Sequence, residues 1–389
     1  MISQPVYDRV ASQFRAHFNR PHAVAAYAPG RIEVLGNHTD YNEGYVLSAA
    51  IQLGTFFLAA PSNSTTCRLV AGDLMREVKF DLQDVARADA DIWANYVKGV
   101  FAELQSHRTV PSGFLGMFLS CLPLGSGLSS SAALEISAAL ALCRLYQIDL
   151  APLSLARIGQ QAEHDYAGVK SGLLDQITSL LGKANHLVMT DFRSLDISTV
   201  PLGGQASFIV CDTGVKHALI DGEYNERRAQ CEAAARGFAG ILDHPVSSLR
   251  DVSMAEWKQA AGRIDPAAAQ RAAHPIGENE RVLAGRRLLE QGDLIGFGKL
   301  MFESHESSRH YFGNSTPQLD FIVDTAARLP GALGARLTGG GFGGSAVLLV
   351  HPRDTRTVAR AVAFAYNREF GRPCTTRTVI PSDGAAIMP

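Results

Sequence analysis

Apolar positions recur along the chain with two different periods, and the change from one to the other marks its elements. Val6, Val10, Phe14 and Phe18 are spaced four apart and predict a helix over 2–18. An unbroken apolar run at 23–28 predicts a strand that gives way at Pro29 to a polar loop reaching Tyr45. Strands are expected at 46–60, 67–70 and 77–80, the last two as a hairpin, and an amphipathic helix at 91–105. The run 114–122 reads as a strand, and 132–146, rich in Ala, Leu and Ile without Gly or Pro, as a helix. Further helices are expected at 153–166 and 173–181, and strands at 187–189 and 207–212. Pro201-Leu202-Gly203-Gly204 lies between those strands and is the expected domain boundary, dividing the chain into 1–200 and 201–389. Beyond it, helices are expected at 224–238, through an Ala-rich region at 253–311, and at 317–329. A glycine-rich stretch precedes a strand at 346–350; a helix at 355–370 and a strand at 375–379 close a βαβ-like end. Strands and helices alternate in both halves, so the class is α+β or α/β.

Composition narrows the function. At 389 residues the chain exceeds one compact core, and two domains are expected. A formal net charge of −2 gives no electrostatic footprint for nucleic acid or an anionic membrane. Cys67, Cys121, Cys143, Cys211, Cys231 and Cys374 are scattered, mostly in apolar runs, which favours reduced thiols over disulfides or zinc. The start has no basic-then-apolar leader, and no apolar run approaches 18 residues; a cytoplasmic protein is expected.

Three stretches carry candidate chemistry. In Gly125-Ser126-Gly127-Leu128-Ser129-Ser130-Ser131, two glycines and four serines sit where a strand turns into a helix. Unpaired N–H groups and the positive dipole end make such a turn an anion site; it also reads as a Gly-Ser turn with a capping serine. It contains no lysine and no Gly-x4-Gly-Lys pattern, so any phosphate there needs backbone N–H groups, a metal and basic residues from elsewhere. The segment Arg31 to Tyr45 holds Arg31, His38 and Asp40, all able to bond a polyhydroxylated ligand, or it is a surface turn with an Asx motif. Asp175 is a charge within the apolar series Leu173, Leu174, Ile177, Leu180, Leu181, either paired structurally or functional. The run Gly339-Gly340-Gly341-Phe342-Gly343-Gly344 serves a tight turn or a close approach to a ligand.

In this order the stretches Gly-Asn-His-Thr-Asp-Tyr-Asn, Gly-Leu-Ser-Ser-Ser-Ala-Ala-Leu and Gly-Gly-Gly-Phe-Gly-Gly resemble the three motifs of the GHMP small-molecule kinases. The first is similar to the galactokinase signature, and so are Trp93-x-Asn95-Tyr96-Val97-Lys98-Gly99, Ala162-Glu163-His164, Gly172-x-x-Asp175-Gln176, the segment from Glu223 to Glu232, and Pro381-Ser382-Asp383-Gly384-Ala385. The resemblance covers nearly the whole chain. It implies an α+β, two-domain GHMP kinase fold, with an N-terminal domain like the second domain of ribosomal protein S5 and a ferredoxin-like C-terminal domain. It implies transfer of the ATP γ-phosphoryl group to the anomeric hydroxyl of a sugar, with Mg²⁺. On it, Gly125, Ser126, Gly127, Leu128, Ser129, Ser130 and Ser131 cradle the triphosphate; Ser131 and Glu163 are the hard oxygen ligands of Mg²⁺. Asp175 matches the proton acceptor and Arg31 the cation beside it. Asn37, His38, Thr39, Asp40 and Tyr224 match sugar-binding positions. Gly339, Gly340, Gly341, Gly343 and Gly344 close the site. Trp93 and Tyr96 are either adenine contacts or core.

One position departs from the pattern. Galactokinases have Glu where this chain has Asn37, a sugar acceptor associated with the outer hydroxyl groups. Asn keeps a carbonyl acceptor, loses the charge and gains a donor. The resemblance therefore leaves galactose beside a galactose derivative, a uronic acid or an N-acetylated sugar, and on this reading Asn37→Glu shifts kcat/KM toward galactose. A non-catalytic sugar and ATP sensor on the same fold is the alternative outside catalysis.

Overall fold

The computed structural model describes residues 4–123, 125, 127–169, 171–215 and 220–389. Ser126, one of the expected triphosphate contacts, lies outside the described residues. The first half supplies seven strands of an eight-stranded sheet with helices on both faces, the eighth coming from the end of the chain. In chain order its elements are α1 (Gln4–Phe18), β1 (Val24–Leu35), β2 (Tyr45–Pro61), β3 (Thr66–Ala71), β4 (Arg76–Asp81), α2 (Ile92–His107), β5 (Phe114–Ser120), α3 (Ser130–Tyr146), α4 (Pro152–Ala162), α5 (Leu174–Leu181), β6 (His186–Asp191) and β7 (Ile197–Pro201). The four-residue period of α1 is its buried face: Val10, Phe14 and Phe18 pack on Tyr27, Phe56 and Met117 of the sheet. α2, α3 and α4 cover the opposite face.

β1 runs to Leu35, well past the predicted end at 28, and takes Pro29, Gly30, Arg31 and Glu33 into the sheet. Pairing with β2 overrides the loop chemistry of Pro-Gly, and two register shifts, between Pro29 and Arg31 and between Glu33 and Leu35, absorb the misfit. Arg31 and Glu33 are thereby fixed on a rigid strand.

The second half contains β8 (Ser207–Asp212), α6 (Ile220–Ala239), α7 (Met254–Ala260), α8 (Pro266–Glu290), α9 (Leu294–Ser307), α10 (Pro317–Ala326), β9 (Ala332–Thr338), β10 (Ser345–Val350), α11 (Thr355–Phe370), β11 (Thr375–Val379) and β12 (Ala386–Ile387). Four of its five strands pair antiparallel in the order β11-β8-β10-β9, so β10, α11 and β11 flank β8 as a split βαβ unit of the ferredoxin-like kind. β9 had no separate signal, because its polar Arg336 and Thr338 interrupt the apolar pattern.

One apolar cluster joins the halves. Ile32, Val34 and Leu47 of the large sheet meet Phe208, Val347 and Leu349 of the small one, with Phe297 and Met301 of α9 between them. Each such buried side chain contributes roughly 1.5–3 kcal/mol. The chain then returns to the first sheet. β12 pairs with β1, and on the way Ser382 N–H donates to Ala50 O at 2.9 Å, Gly384 N–H to Gly182 O at 2.8 Å and Ala385 N–H to Ser179 O at 2.8 Å. The 381–385 segment is thus a strap across the end of α5, the helix that presents Asp175.

Candidate active site

A cleft of about 670 Å³ opens between the halves. Its lining comes from β1 and the turn after it, from the 168–175 segment, from α6 and from the glycine loop. Asp175 stands in the first turn of α5. Its Oδ1 accepts from Arg31 Nε at 2.7 Å, with Arg31 Nη2 also at 2.7 Å, and its Oδ2 accepts from Ser129 Oγ at 2.5 Å. Arg31 Nη1 donates to Gly127 O at 2.7 Å. One carboxylate is therefore tied to β1 and to the 125–131 loop at once. Ser129 is not a helix cap: its hydroxyl is committed to Asp175 and its φ is 57°, so the N–H groups of the first turn of α3 keep no capping side chain from it.

The turn after β1 forms a second wall. Glu278 of α8 is fully buried beneath it; its Oε2 accepts from Gly36 N–H at 2.8 Å and Asn37 N–H at 2.9 Å, and its Oε1 pairs with Arg281 at 2.5 Å. Burial pushes the Glu278 carboxyl up, but Arg281 and its neighbours hold it well below the usual range. Asn37 spends its whole amide inside the protein. Its Nδ2 donates to Glu33 Oε1 and to Gly339 O, each at 2.8 Å, and its Oδ1 accepts from Asn314 Nδ2 at 3.0 Å. Glu33 Oε1 also takes Arg336 Nη1 at 3.0 Å, and that arginine is completely buried. Burial pushes the Glu33 carboxyl up; Arg336 and Arg31 pull it back.

His38 lies 3.0 Å by Nε2 from Gly340 O and 2.9 Å by Nδ1 from the Tyr41 hydroxyl. A carbonyl can only accept, so Nε2 carries the proton and Nδ1 accepts from Tyr41. Burial lowers the His38 pKa to about 4, which keeps this neutral tautomer at ordinary pH. Asp40 is pushed up to about 6 by burial first and by Glu33 second. Its carboxylate fits because residue 172 is glycine: a Cβ there would lie 2.0 Å from Asp40 Oδ2. Tyr224 of α6 joins this wall, its ring 5.2 Å from that of His38. Thr39 does not line the cleft; its hydroxyl, 2.7 Å from Gly36 O and 2.6 Å from Tyr45 O, shares its one proton between them and holds the turn from behind.

At the 125–131 loop, Ser131 Oγ donates to Glu163 Oε1 at 2.7 Å, and Ser171 Oγ donates to Glu163 Oε2. Glu163 opens a single π-turn, Glu163–Ala167, a local widening that recurs at functional sites. Gln176 Nε2 bridges Glu163 Oε2 at 3.3 Å and Glu135 Oε2 at 3.0 Å. Burial pushes both carboxyls up, Glu135 well above its ordinary value. A hydroxyl and a buried carboxylate, with a second buried carboxylate behind, form a hard-oxygen donor set that a small divalent cation would neutralise. Among the described residues no group of three or more His, Cys, Asp or Glu forms an all-protein metal cage. That suits an ion held partly by phosphates.

The glycine loop lies close beside the 125–131 loop: a Cβ on Gly339 would be 3.9 Å from Gly127 O. Gly341 has φ of 85°, and a Cβ there would stand 2.3 Å from Asn314 O. Only Gly339 and Gly340 of the loop line the cleft itself. Trp93 and Tyr96 are half-buried against the core of the first half. Glu33, Glu278, Asn314 and Arg336 were not anticipated. Glu33 was hidden by the assumed loop, and the others sit in segments whose sequence reads as plain helix, loop or strand.

Known proteins resemble the chain in sequence and in fold. The family model for the galactokinase galactose-binding signature matches residues 12–61. The models for the GHMP kinases N terminal domain and GHMP kinases C terminal match 95–183 and 286–368. A galactokinase of Chloroflexus aurantiacus is 39% identical over 359 residues, 92% of each chain. One of Pasteurella multocida is 38% identical over 366 residues, 92% of this chain and 93% of its own. The crystal structure of Lactococcus lactis galactokinase complexed with galactose matches with a TM-score of 0.93 at 32% identity, covering 98% of this chain and 99% of its own. A mevalonate kinase, 18% identical with a TM-score of 0.63, shares the fold.

Proposed function

The chain belongs to the galactokinase family of GHMP kinases, and from that premise we propose that it phosphorylates galactose at the anomeric hydroxyl with ATP. The observation that carries the reading is Asp175, held by Arg31 and Ser129 where the sugar-side wall meets the 125–131 loop. In the proposed reaction the anomeric oxygen bonds to the γ-phosphorus, the bond to ADP breaks, and the hydroxyl proton passes to Asp175. Arg31 neutralises charge on the transferring group. Gly125 to Ser131 hold the triphosphate through N–H groups at the start of α3. Ser131 and Glu163 would hold Mg²⁺, which supplies charge neutralisation on the phosphates when bound. Asp40 and Tyr224 bind the sugar, His38 gives the pocket a ring face with both its nitrogens spent on Gly340 and Tyr41, and the 339–344 loop closes over it. Asn37 and Thr39 support that wall rather than touch the ligand.

Two observations bear on the alternatives. Glu33 and Asp40 keep acceptors in the sugar wall, which disfavours a uronic acid. The intact Asp175, Arg31 and Ser129 cluster disfavours a sensor without turnover. Six free cysteines, five of them buried, fit a reducing cytoplasm, and no described helix is long and apolar enough to cross a membrane.

The test is ADP release with Mg·ATP over galactose, galacturonate, N-acetylgalactosamine, glucose, arabinose and no sugar. Turnover concentrated on galactose is the expected result. Preference for another member reassigns the sugar, and silence throughout with ATP bound sinks the kinase reading.

A further inference from the structure

Asn37 cannot replace the glutamate its position carries in the resembling family. All of its amide hydrogens and its carbonyl are committed to Glu33, Gly339 and Asn314. Glu33, four residues earlier on β1 and 2.8 Å from the Asn37 amide, lines the same cleft. Its Oε1 takes both Asn37 and Arg336; among the described residues no hydrogen bond reaches its Oε2. Against the upward push of burial, an arginine favours the carboxylate from behind. Arg336 is fully buried and cannot give up its proton, Glu33 is its ion-pair partner, and its Nε and Nη2 have no hydrogen-bond partner. Thr338 fixes the Glu33 backbone on both sides, its Oγ1 taking Glu33 N–H and donating to Glu33 O, each at 3.0 Å. The strand is therefore rigid at this carboxylate, as a recognition group requires.

We propose that Glu33 contacts the sugar, its free Oε2 accepting a hydrogen bond from the hydroxyl at the C6 end of galactose, and that Asn37 is the strut that aims it. This rests on the galactokinase reading. The carboxylate found at position 37 in relatives has moved, in this chain, to residue 33. Two consequences follow from the chemistry. A sugar with a carboxylate at C6 has no proton to offer and meets an acceptor. Asn37→Glu, which restores the family residue, sets a second carboxylate against Glu33 and harms activity instead of improving it.

The experiment is a cycle of wild type and Glu33→Gln against galactose and 6-deoxygalactose. Glu33→Gln is expected to lower kcat/KM on galactose by about 10- to 100-fold, the size of a hydrogen bond to a charged group. On 6-deoxygalactose the same variant is expected to lose less than about threefold, since the bond is already absent. Equal losses on both sugars overturn the proposal. Glu33→Gln also leaves Arg336 without its counter-charge, so its fold is checked by circular dichroism. A second arm uses wild type alone: galacturonate is expected not to compete with galactose, and competition near the KM of galactose overturns the proposal. In a third arm Asn37→Glu is expected to fall in kcat/KM on galactose, and a rise overturns the proposal. Wild-type silence on every sugar overturns the galactokinase reading and this one with it. Normal turnover of galactose with an additive cycle overturns this one alone.

Discussion

The two walls of the cleft are built on opposite terms. On the sugar side, Gly36 to Asp40 are held by Glu278, Asn314, Tyr41 and the carbonyls of Gly339 and Gly340, with hardly a polar atom left over. On the proposed nucleotide side, Gly125 and Gly127 are exposed, Ser129 and Ser131 give their hydroxyl protons to Asp175 and Glu163, and α3 starts without a side-chain cap. The first wall is bonded within the protein; the second, on the proposed function, awaits a ligand. Preorganisation suits recognition of a neutral polyol, whose hydroxyls discriminate only against fixed partners. Unpaired N–H groups suit a polyanion, whose charge supplies the missing bonds.

Variants can separate the walls. Asp175→Asn, at their junction, should lower kcat by about 10²–10⁴-fold while the dissociation constant of Mg·ATP stays unchanged. Full turnover in that variant would remove Asp175 as the base. Glu278→Ala strips the sugar wall of its support and leaves Arg281 unpaired. It should destabilise the protein by about 3 kcal/mol in urea unfolding, with the sugar KM rising before that of ATP. Ser131→Ala removes a donor from the nucleotide wall. It should raise the Mg²⁺ concentration needed for half-maximal rate by about tenfold with Tm unmoved; a large fall in Tm would show that this wall, too, is finished in advance.

Asp40→Asn has the smallest expected effect and a definite sign. Burial raises the Asp40 carboxyl to about 6 from its ordinary 3.8, so the folded protein binds that proton more tightly than the unfolded chain. The resulting stabilisation is complete below pH 3.8 and lost as pH rises through about 6. The variant should therefore be more stable than wild type at pH 8, by about 1 kcal/mol after discounting for the open cleft, with the advantage gone near pH 4. A gain that persisted in acid would place its origin elsewhere.

Sequence made the nucleotide wall legible and left the sugar wall half-read. The Gly-Ser loop, Glu163, Asp175 and Arg31 lie in motifs whose spacing carries chemistry, and the structure brings them within hydrogen-bonding distance. Helix α11 and strands β8 and β11 end where their periodicity ends. What was missed is long-range. Glu278, Asn314 and Arg336 act on residues 33–37 from the far half of the chain, and no local pattern announces such a partner. β1 was cut short for the same reason, since its extension depends on β2 rather than on its own residues.

The strap that ends in β12 has a consequence for how the chain is made. Ala26 and Tyr27 leave the ribosome long before their partners, Ile387 and Ala386. Until then one edge of the large sheet stands open, and α5 lacks the segment that crosses its end. A nascent chain carries this bare edge through most of its synthesis, exposed to pairing with a neighbour on the same message. The C-terminal end of α5, the helix that presents Asp175, is thus covered only after translation has passed residue 385, so the packing of that helix is set by the clock of elongation as well as by the thermodynamics of the finished fold.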